Sequence, residues 1–294
     1  MTNTSPPSSL EVSNERPLRP ETRMLLRHVR AAAGQLQTDF VVAGATARDL
    51  TLWHVYGIQA ERRTFDVDVA ISVVNWDAHA ALVELLRATG YFTPSSRDQH
   101  AMTFEDPDVG PPVPLDLVPF GGVEAPEGEI AWPPKGDFIM NVLGFREAVD
   151  TAIRIDVGEG VVVPVVALPA LAILKMLAWH DRRLRANKDA FDLLLLLRNY
   201  LKAGNGERIW TVAGDLLETY DFDVDLAASA LLGRDARAIA RPETLAAVIP
   251  LLADDRTYDT LRRDMLARAA AQMFEDFADG SDVLLAAFRA GFLG

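Results

Sequence analysis

The chain has 294 residues, 49% of them hydrophobic, with no cysteine and a formal net charge of −13 at pH 7. Such a length holds one large domain or two smaller ones with a packed core, and the lack of cysteine excludes disulfide scaffolds, thiolate metal centres and cysteine nucleophiles. The acidic balance argues against sequence-independent binding along a nucleic-acid backbone, although it leaves room for a local basic site.

The N-terminal MTNTSPPSSLEVSNERP is polar and rich in Pro and Ser, with no apolar signal core. No apolar run approaches the roughly 20 residues that span a bilayer. We therefore expect a cytoplasmic protein with no membrane partner and a disordered tail over residues 1–17. A first helix is expected from Pro20 to Leu36, with Met24, Leu25, Leu26 and Val29 on one side. Strand Phe40–Ala43 leads into a helix over Thr46–Tyr56, and a polar segment then leads to a strand that alternates Phe65, Val67, Val69, Ile71 and Val73. Asn75 is placed to cap a helix over Trp76–Ala88, closed by Gly90. Strands are expected at Gln99–Glu105 and Val113–Val118, followed by a Gly- and Pro-rich loop over Gly121–Gly136 that is long enough to be functional. A helix over Phe138–Val149 and a hairpin with arms Ala152–Val157 and Val161–Val166 complete the mixed part. From Pro169 onward the pattern is helical, with four or five amphipathic helices beyond Gly204. The expected domains are thus a mixed α and β region over 18–168 and an all-α region over 169–294.

Three acids interrupt the apolar strands. Asp66 and Asp68 are separated by one apolar residue, so a strand sends both from one face, while Asp116 lies between Leu115 and Leu117. Carboxylates crowded on one face repel unless a cation joins them. Oxygen-rich sites completed by substrate phosphates suit Mg2+ or Mn2+. Solvent exposure, or pairing with Arg48, Arg62 or Arg63, is the alternative. Upstream, Gly44-Ala45-Thr46-Ala47 joins a strand to a helix in the arrangement that offers backbone N–H groups to phosphate, with Arg48 and Asp49 in the following turn. Farther on, Lys175 interrupts an apolar helix face, where it either snorkels to water or serves as a cation for triphosphate. Lys188, Asp189 and Asp192 form a polar set on the next helix, and Lys188 can meet Asp192 at i, i+4. Arg182, Arg183, Arg185 and Lys188 make a basic cluster that is either a solvated face or a contact for nucleic acid. The five histidines are scattered, so zinc chemistry and a histidine base are not expected. The run Asp221–Asp225 lacks the glycine and final Glu of a calcium loop and reads as a helix cap.

With Gly44-Ala45-Thr46-Ala47, Asp66-Val67-Asp68, Asp116, Lys175 and Lys188-Asp189-x-x-Asp192 in this order, the chain resembles the nucleotidyltransferase superfamily typified by DNA polymerase β. Within it, the Lys…Lys-Asp-x-x-Asp helix resembles the AbiEii/AbiGii-type toxin nucleotidyltransferases. The resemblance covers residues 38 to 200; Ala45 stands where members usually have Gly or Ser. It implies an α+β fold with a mixed β-sheet core flanked by helices and an all-α C-terminal domain. It further implies an enzyme that moves a nucleoside monophosphate from an NTP to an acceptor hydroxyl. Asp66, Asp68 and Asp116 would then be catalytic and hold Mg2+ or Mn2+. Gly44, Ala45, Thr46, Arg48, Lys175 and Lys188 would contact nucleotide, and Asp189 and Asp192 would orient the basic groups. The implied partners are an NTP, an RNA acceptor such as tRNA and a cognate antitoxin. A transferase acting on a small hydroxyl compound such as an antibiotic, and a non-catalytic nucleotide-binding relative, are the alternatives.

Overall fold

A computed structural model describes residues 9–59, 66–96, 98–184, 188–271 and 280–294, with side chains of 268–271 excepted. The expected roles of Arg62 and Arg63, and Arg185 in the basic cluster, lie outside those residues. Two compact units divide the chain, Met1–Ala167 and Leu168–Gly294.

The first unit is built on an eight-stranded mixed sheet. Its strands are β1 (Leu10–Glu11), β2 (Phe40–Ala43), β3 (Val67–Val73), β4 (Phe92–Pro94), β5 (Ala101–Phe104) and β6 (Val113–Gly121), with β9 (Ile153–Asp156) and β10 (Val162–Val165). They lie in the order β1-β9-β10-β2-β3-β6-β5-β4, and β7 (Glu129–Ala131) pairs with β8 (Ile139–Asn141) in a separate ribbon. Helices α1 (Pro20–Leu36), α3 (Trp76–Ala88) and α4 (Phe145–Asp150) pack against these strands, while α2 (Gly44–Asp49) follows β2 directly. Asn75 caps α3 by accepting a hydrogen bond from the Ala78 N–H at 2.9 Å.

The centre of the sheet is the parallel pair β3 and β6, with Val67 beside Leu115, Asp68 beside Asp116 and Val69 beside Leu117. Val67, Val69, Ile71, Leu115 and Leu117 are all buried. Each contributes about 1.5–3 kcal/mol by leaving water. Slipping either strand by one residue would turn those side chains to the opposite face, so burial fixes the register. The same register sets the two interleaved aspartates side by side.

Several local expectations are corrected. Residues 9–17 are not a tail, since Leu10 and Glu11 pair in parallel with Ile155 and Asp156 and the Arg16 Nε donates to the Trp53 carbonyl at 2.9 Å. The helix expected over Thr46–Tyr56 begins at Gly44 and widens into a π-helical turn over Leu50–Val55. The apolar spacing over Phe138–Val149 is split by Gly144, whose φ of 86° belongs to the left-handed region. Strand β8 precedes it and α4 follows. The loop over 121–136 carries β7 and is pinned by Glu124, which accepts from the Gly121 and Gly128 N–H groups, each at 2.6 Å. Strand β4, absent from the sequence reading, extends the sheet edge through β5.

The second unit is helical: α5 (Leu168–Arg182), α6 (Lys188–Asn199), α7 (Arg208–Thr211), α8 (Gly214–Thr219), α9 (Val224–Ile239), α10 (Pro242–Ala253), α11 (Asp255–Ala271) and α12 (Ser281–Leu293). Six of these, rather than four or five, follow Gly204 among the described residues. Asp223 caps α9 by accepting from the Asp225 and Leu226 N–H groups, as expected of that acidic run. No described helix is long and apolar enough to cross a membrane.

Helices α9 and α12 approach through glycine. A Cβ on Gly233 would lie 2.2 Å from the Phe288 carbonyl oxygen, and one on Gly291 would lie 1.9 Å from that of Ala230. Both obstacles are backbone, which a rotamer change does not relieve. Replacing Gly233 by Ala is therefore expected to lower unfolding free energy by about 1–3 kcal/mol or more, the usual cost of overpacking. Urea denaturation of the two proteins measures this. Equal midpoints with equal slopes would show that the helices separate freely.

Candidate active site

Strand β2 runs antiparallel to β3 with Ala43 opposite Asp68, and the chain then turns at Gly44 with φ 61°. A Cβ at Gly44 would fall 1.8 Å from the Asp68 Oδ2. The Asp68 carboxylate thus occupies the space that any other residue at 44 would fill, and the turn brings backbone and carboxylate together. Asp116 flanks Asp68 on the other side, on a strand spacing of about 4.8 Å. Its side chain is 31% exposed.

Asp66 stands at the entry to β3. Its carbonyl accepts from the Thr46 Oγ1 at 2.7 Å, which ties α2 to the start of the strand. The Thr46 hydroxyl hydrogen is thereby committed to the protein rather than presented to a phosphate. Asp66 also borders a small cavity with Arg19, Thr46, Asp49 and His54. Arg48 is fully buried, and its Nε donates to the Asp49 Oδ1 at 2.8 Å. Of the outcomes expected for Arg48, a phosphate contact or a strand acid, neither is what this hydrogen bond makes.

Among the described residues, no three His, Asp or Glu side chains are grouped to hold a metal ion. Asp68 and Asp116 nevertheless suit Mg2+, which is commonly bound by one or two carboxylates and completed by water and substrate phosphates. Their hard oxygen donors and shared face fit that cation.

Although the histidines are scattered along the sequence, the structure brings one of them to Asp116. The His100 Nε2 lies 4.0 Å from the Asp116 Oδ1. Its ring stacks on Phe138, with centroids 6.1 Å apart and planes at 21°, and also meets Trp132 at 5.9 Å. Trp132 in turn contacts Trp76 and His79. Three buried polar atoms of this cluster have no hydrogen-bond partner among the described residues: the His79 Nε2, the His100 Nδ1 and the Trp132 Nε1. Nothing in the spacing of His100 marks it, because its proximity to Asp116 arises from the antiparallel pairing of β5 with β6, in which Ala101 faces Asp116.

The remaining candidates form a network within the second unit. Lys175 does not snorkel: it is 6% exposed, and its Nζ donates to the Asp189 Oδ1 at 3.1 Å and the Asp192 Oδ2 at 2.6 Å. Arg182 adds a 2.9 Å bond to the Asp189 Oδ2. Lys175, Asp189 and Asp192 are buried while Arg182 is half exposed, and removing one partner of the buried pairs typically costs about 3–5 kcal/mol. In the basic cluster, Arg183 covers the Trp179 ring at 5.5 Å, while Lys188 opens α6 half-buried.

His79 yields a pH prediction. Burial pushes its pKa down to about 4 from 6.5, opposed by a hydrogen bond with the Leu117 backbone. Between those values the unfolded chain takes up a proton that the folded one refuses, so stability falls as pH drops from 6.5 to 4. The loss from this residue is about 3 kcal/mol, complete below the lower value. Urea unfolding of wild type and His79→Gln at both ends of the window should show a shallower fall in the variant. Equal falls would mean that His79 is not held neutral.

Comparison with known proteins shows the family. A family model described as nucleotidyl transferase AbiEii toxin, type IV TA system, matches residues 25–290. No curated protein matches significantly in sequence. Among solved structures, an antigenic nucleotidyltransferase-like protein from Paracoccidioides brasiliensis is 17% identical, with 74% of this chain and 94% of that one covered and a TM-score of 0.42. The antibiotic-resistance factor ANT(2'')-Ia is 16% identical, with coverages of 69% and 95% and a TM-score of 0.37. The Thermotoga maritima CCA-adding enzyme complexed with tRNA is 12% identical, with coverages of 95% and 80% and a TM-score of 0.26. Likenesses at this level carry no argument about substrate. The family match, by contrast, takes in most of both units, and the chain belongs to the AbiEii toxin family of nucleotidyltransferases.

Proposed function

We propose that the chain transfers a nucleoside monophosphate from an NTP to a hydroxyl of an RNA acceptor such as tRNA, as the toxin component of a toxin–antitoxin pair, with Mg2+ or Mn2+ as its cation. The observation that carries the chemistry is the in-register pair Asp68 and Asp116, set against the bare Cα of Gly44. Membership in a family described as the toxin of a type IV TA system supports the antitoxin partner.

In this reading Asp66, Asp68 and Asp116 are the acid set. A divalent cation held by Asp68 and Asp116 would neutralise phosphate charge and orient the transferred group. Asp116, the acid beside His100, takes the proton from the acceptor hydroxyl. The freed oxygen forms a bond to the α-phosphorus, the bond from that phosphorus to the bridging oxygen breaks, and pyrophosphate leaves. The backbone at Gly44 and Ala45, where β2 passes into α2, faces the phosphates, and Thr46 fixes that turn through its bond to Asp66. Preorganisation follows from the sheet: the register holds acid and turn in place before substrate arrives.

Incubation with Mg2+, each labelled NTP and total tRNA tests the proposal, beside parallel reactions with aminoglycosides as small hydroxyl acceptors. Label should enter RNA, and Asp68→Asn or Asp116→Asn should cut the rate by roughly 100-fold or more. Label in the small acceptor alone would replace the RNA reading. If both variants transferred at the wild-type rate, the assignment of the acids would be wrong.

A further inference from the structure

His100 belongs to none of the motifs quoted for the resemblance, yet its Nε2 comes within 4.0 Å of a strand acid from outside β3 and β6. Its main chain is tied to β6 at the residue after Asp116: the Leu117 N–H donates to the His100 carbonyl at 2.8 Å. Its successor, Ala101, faces Asp116 in the β5–β6 register. His100 therefore cannot shift relative to Asp116 without breaking the sheet. The ring itself contacts Phe138 and Trp132, with centroids 6.1 and 5.9 Å away.

The two ring nitrogens differ in surroundings. Nδ1 is buried without a partner, and Nε2 looks toward the Asp116 carboxylate at 4.0 Å. A neutral imidazole carries one proton. On Nδ1 that proton would be a buried donor with nothing to bond, at a cost of about 1–3 kcal/mol. On Nε2 it faces an anion. The Nε2–H form is thus selected by packing on one side and charge on the other. The separation is longer than a hydrogen bond, as is common for such contacts before substrate binds.

We propose that His100 is a positioning residue for Asp116, presenting an Nε2–H that restrains one carboxylate oxygen and so orients the carboxyl group. This rests on the proposed role of Asp116 and adds a residue to it. Phe138 and Trp132 serve it in turn by fixing the ring. Histidine is required at this place for a donor on a rigid plane, and glutamine is the side chain that comes nearest to supplying one.

Two arms test the proposal on the full chain. In the first, long-range 1H–15N spectra of 15N-histidine-labelled protein, with His100→Gln to assign the resonance, read the tautomer directly at alkaline pH. The Nε2–H form is expected in wild type, and a mixture in Asp116→Ala. An Nδ1–H ring in wild type, or a tautomer indifferent to Asp116→Ala, would overturn the proposal. In the second, label transfer to total tRNA is followed at varied NTP. His100→Phe, which keeps the stacked plane, should lower kcat by about 10–100-fold with KM for NTP nearly unchanged, and His100→Gln should recover most of that loss. Wild-type kcat in His100→Phe would show that the ring only packs. If wild type itself labels nothing, the proposed function fails by itself, and the tautomer arm still decides the contact between His100 and Asp116.

Discussion

The parallel register of β3 on β6 is the constraint from which the rest of the candidate site follows. Apolar side chains at Val67, Val69, Leu115 and Leu117 fill one face, and their burial leaves the intervening aspartates no alternative but the other. Asp68 and Asp116 are adjacent because four hydrophobic residues are. The acids themselves resist that placement, since two carboxylates on neighbouring strands repel. Burial of the apolar layer supplies the free energy that holds them there.

Gly44 completes that arrangement from the third strand. Its positive φ and lack of a side chain let β2 turn into α2 directly over Asp68, where a Cβ would collide with the carboxylate. The Thr46 to Asp66 bond then locks the turn to the strand it serves. In the second unit the Lys175, Asp189, Asp192 and Arg182 network follows a different principle. Every one of its charges is met by its neighbours, so the network is a neutral set, buried apart from Arg182, that orders α5 against α6.

What the sequence made legible is what has a short period. The alternation along β3 and β6, the cap at Asn75 and the start of α1 at Pro20 depend on neighbours within a few residues, and the motif order was sufficient to point to the nucleotidyltransferase family. Features that depend on distant pairing were not legible. His100 gains its significance only because β5 pairs with β6, and β1 exists only because Leu10 and Glu11 find β9. The glycines at 233 and 291 look like weak helix positions in isolation and become necessary once α9 meets α12. Thr46 and Arg48 have the right chemistry for phosphate, but the hydrogen bonds that occupy them, to Asp66 and Asp49, depend on how α2 packs.

The central claim is that Asp68 and Asp116 together form the cation-binding half of a nucleotide site. Crystals of the full chain grown with Mn2+ and a non-hydrolysable NTP analogue test it most directly, by anomalous scattering from the manganese. The account predicts an anomalous peak ligated by both carboxylates, with the analogue's phosphates completing its shell. Manganese and nucleotide bound together at a place that touches neither aspartate would contradict it.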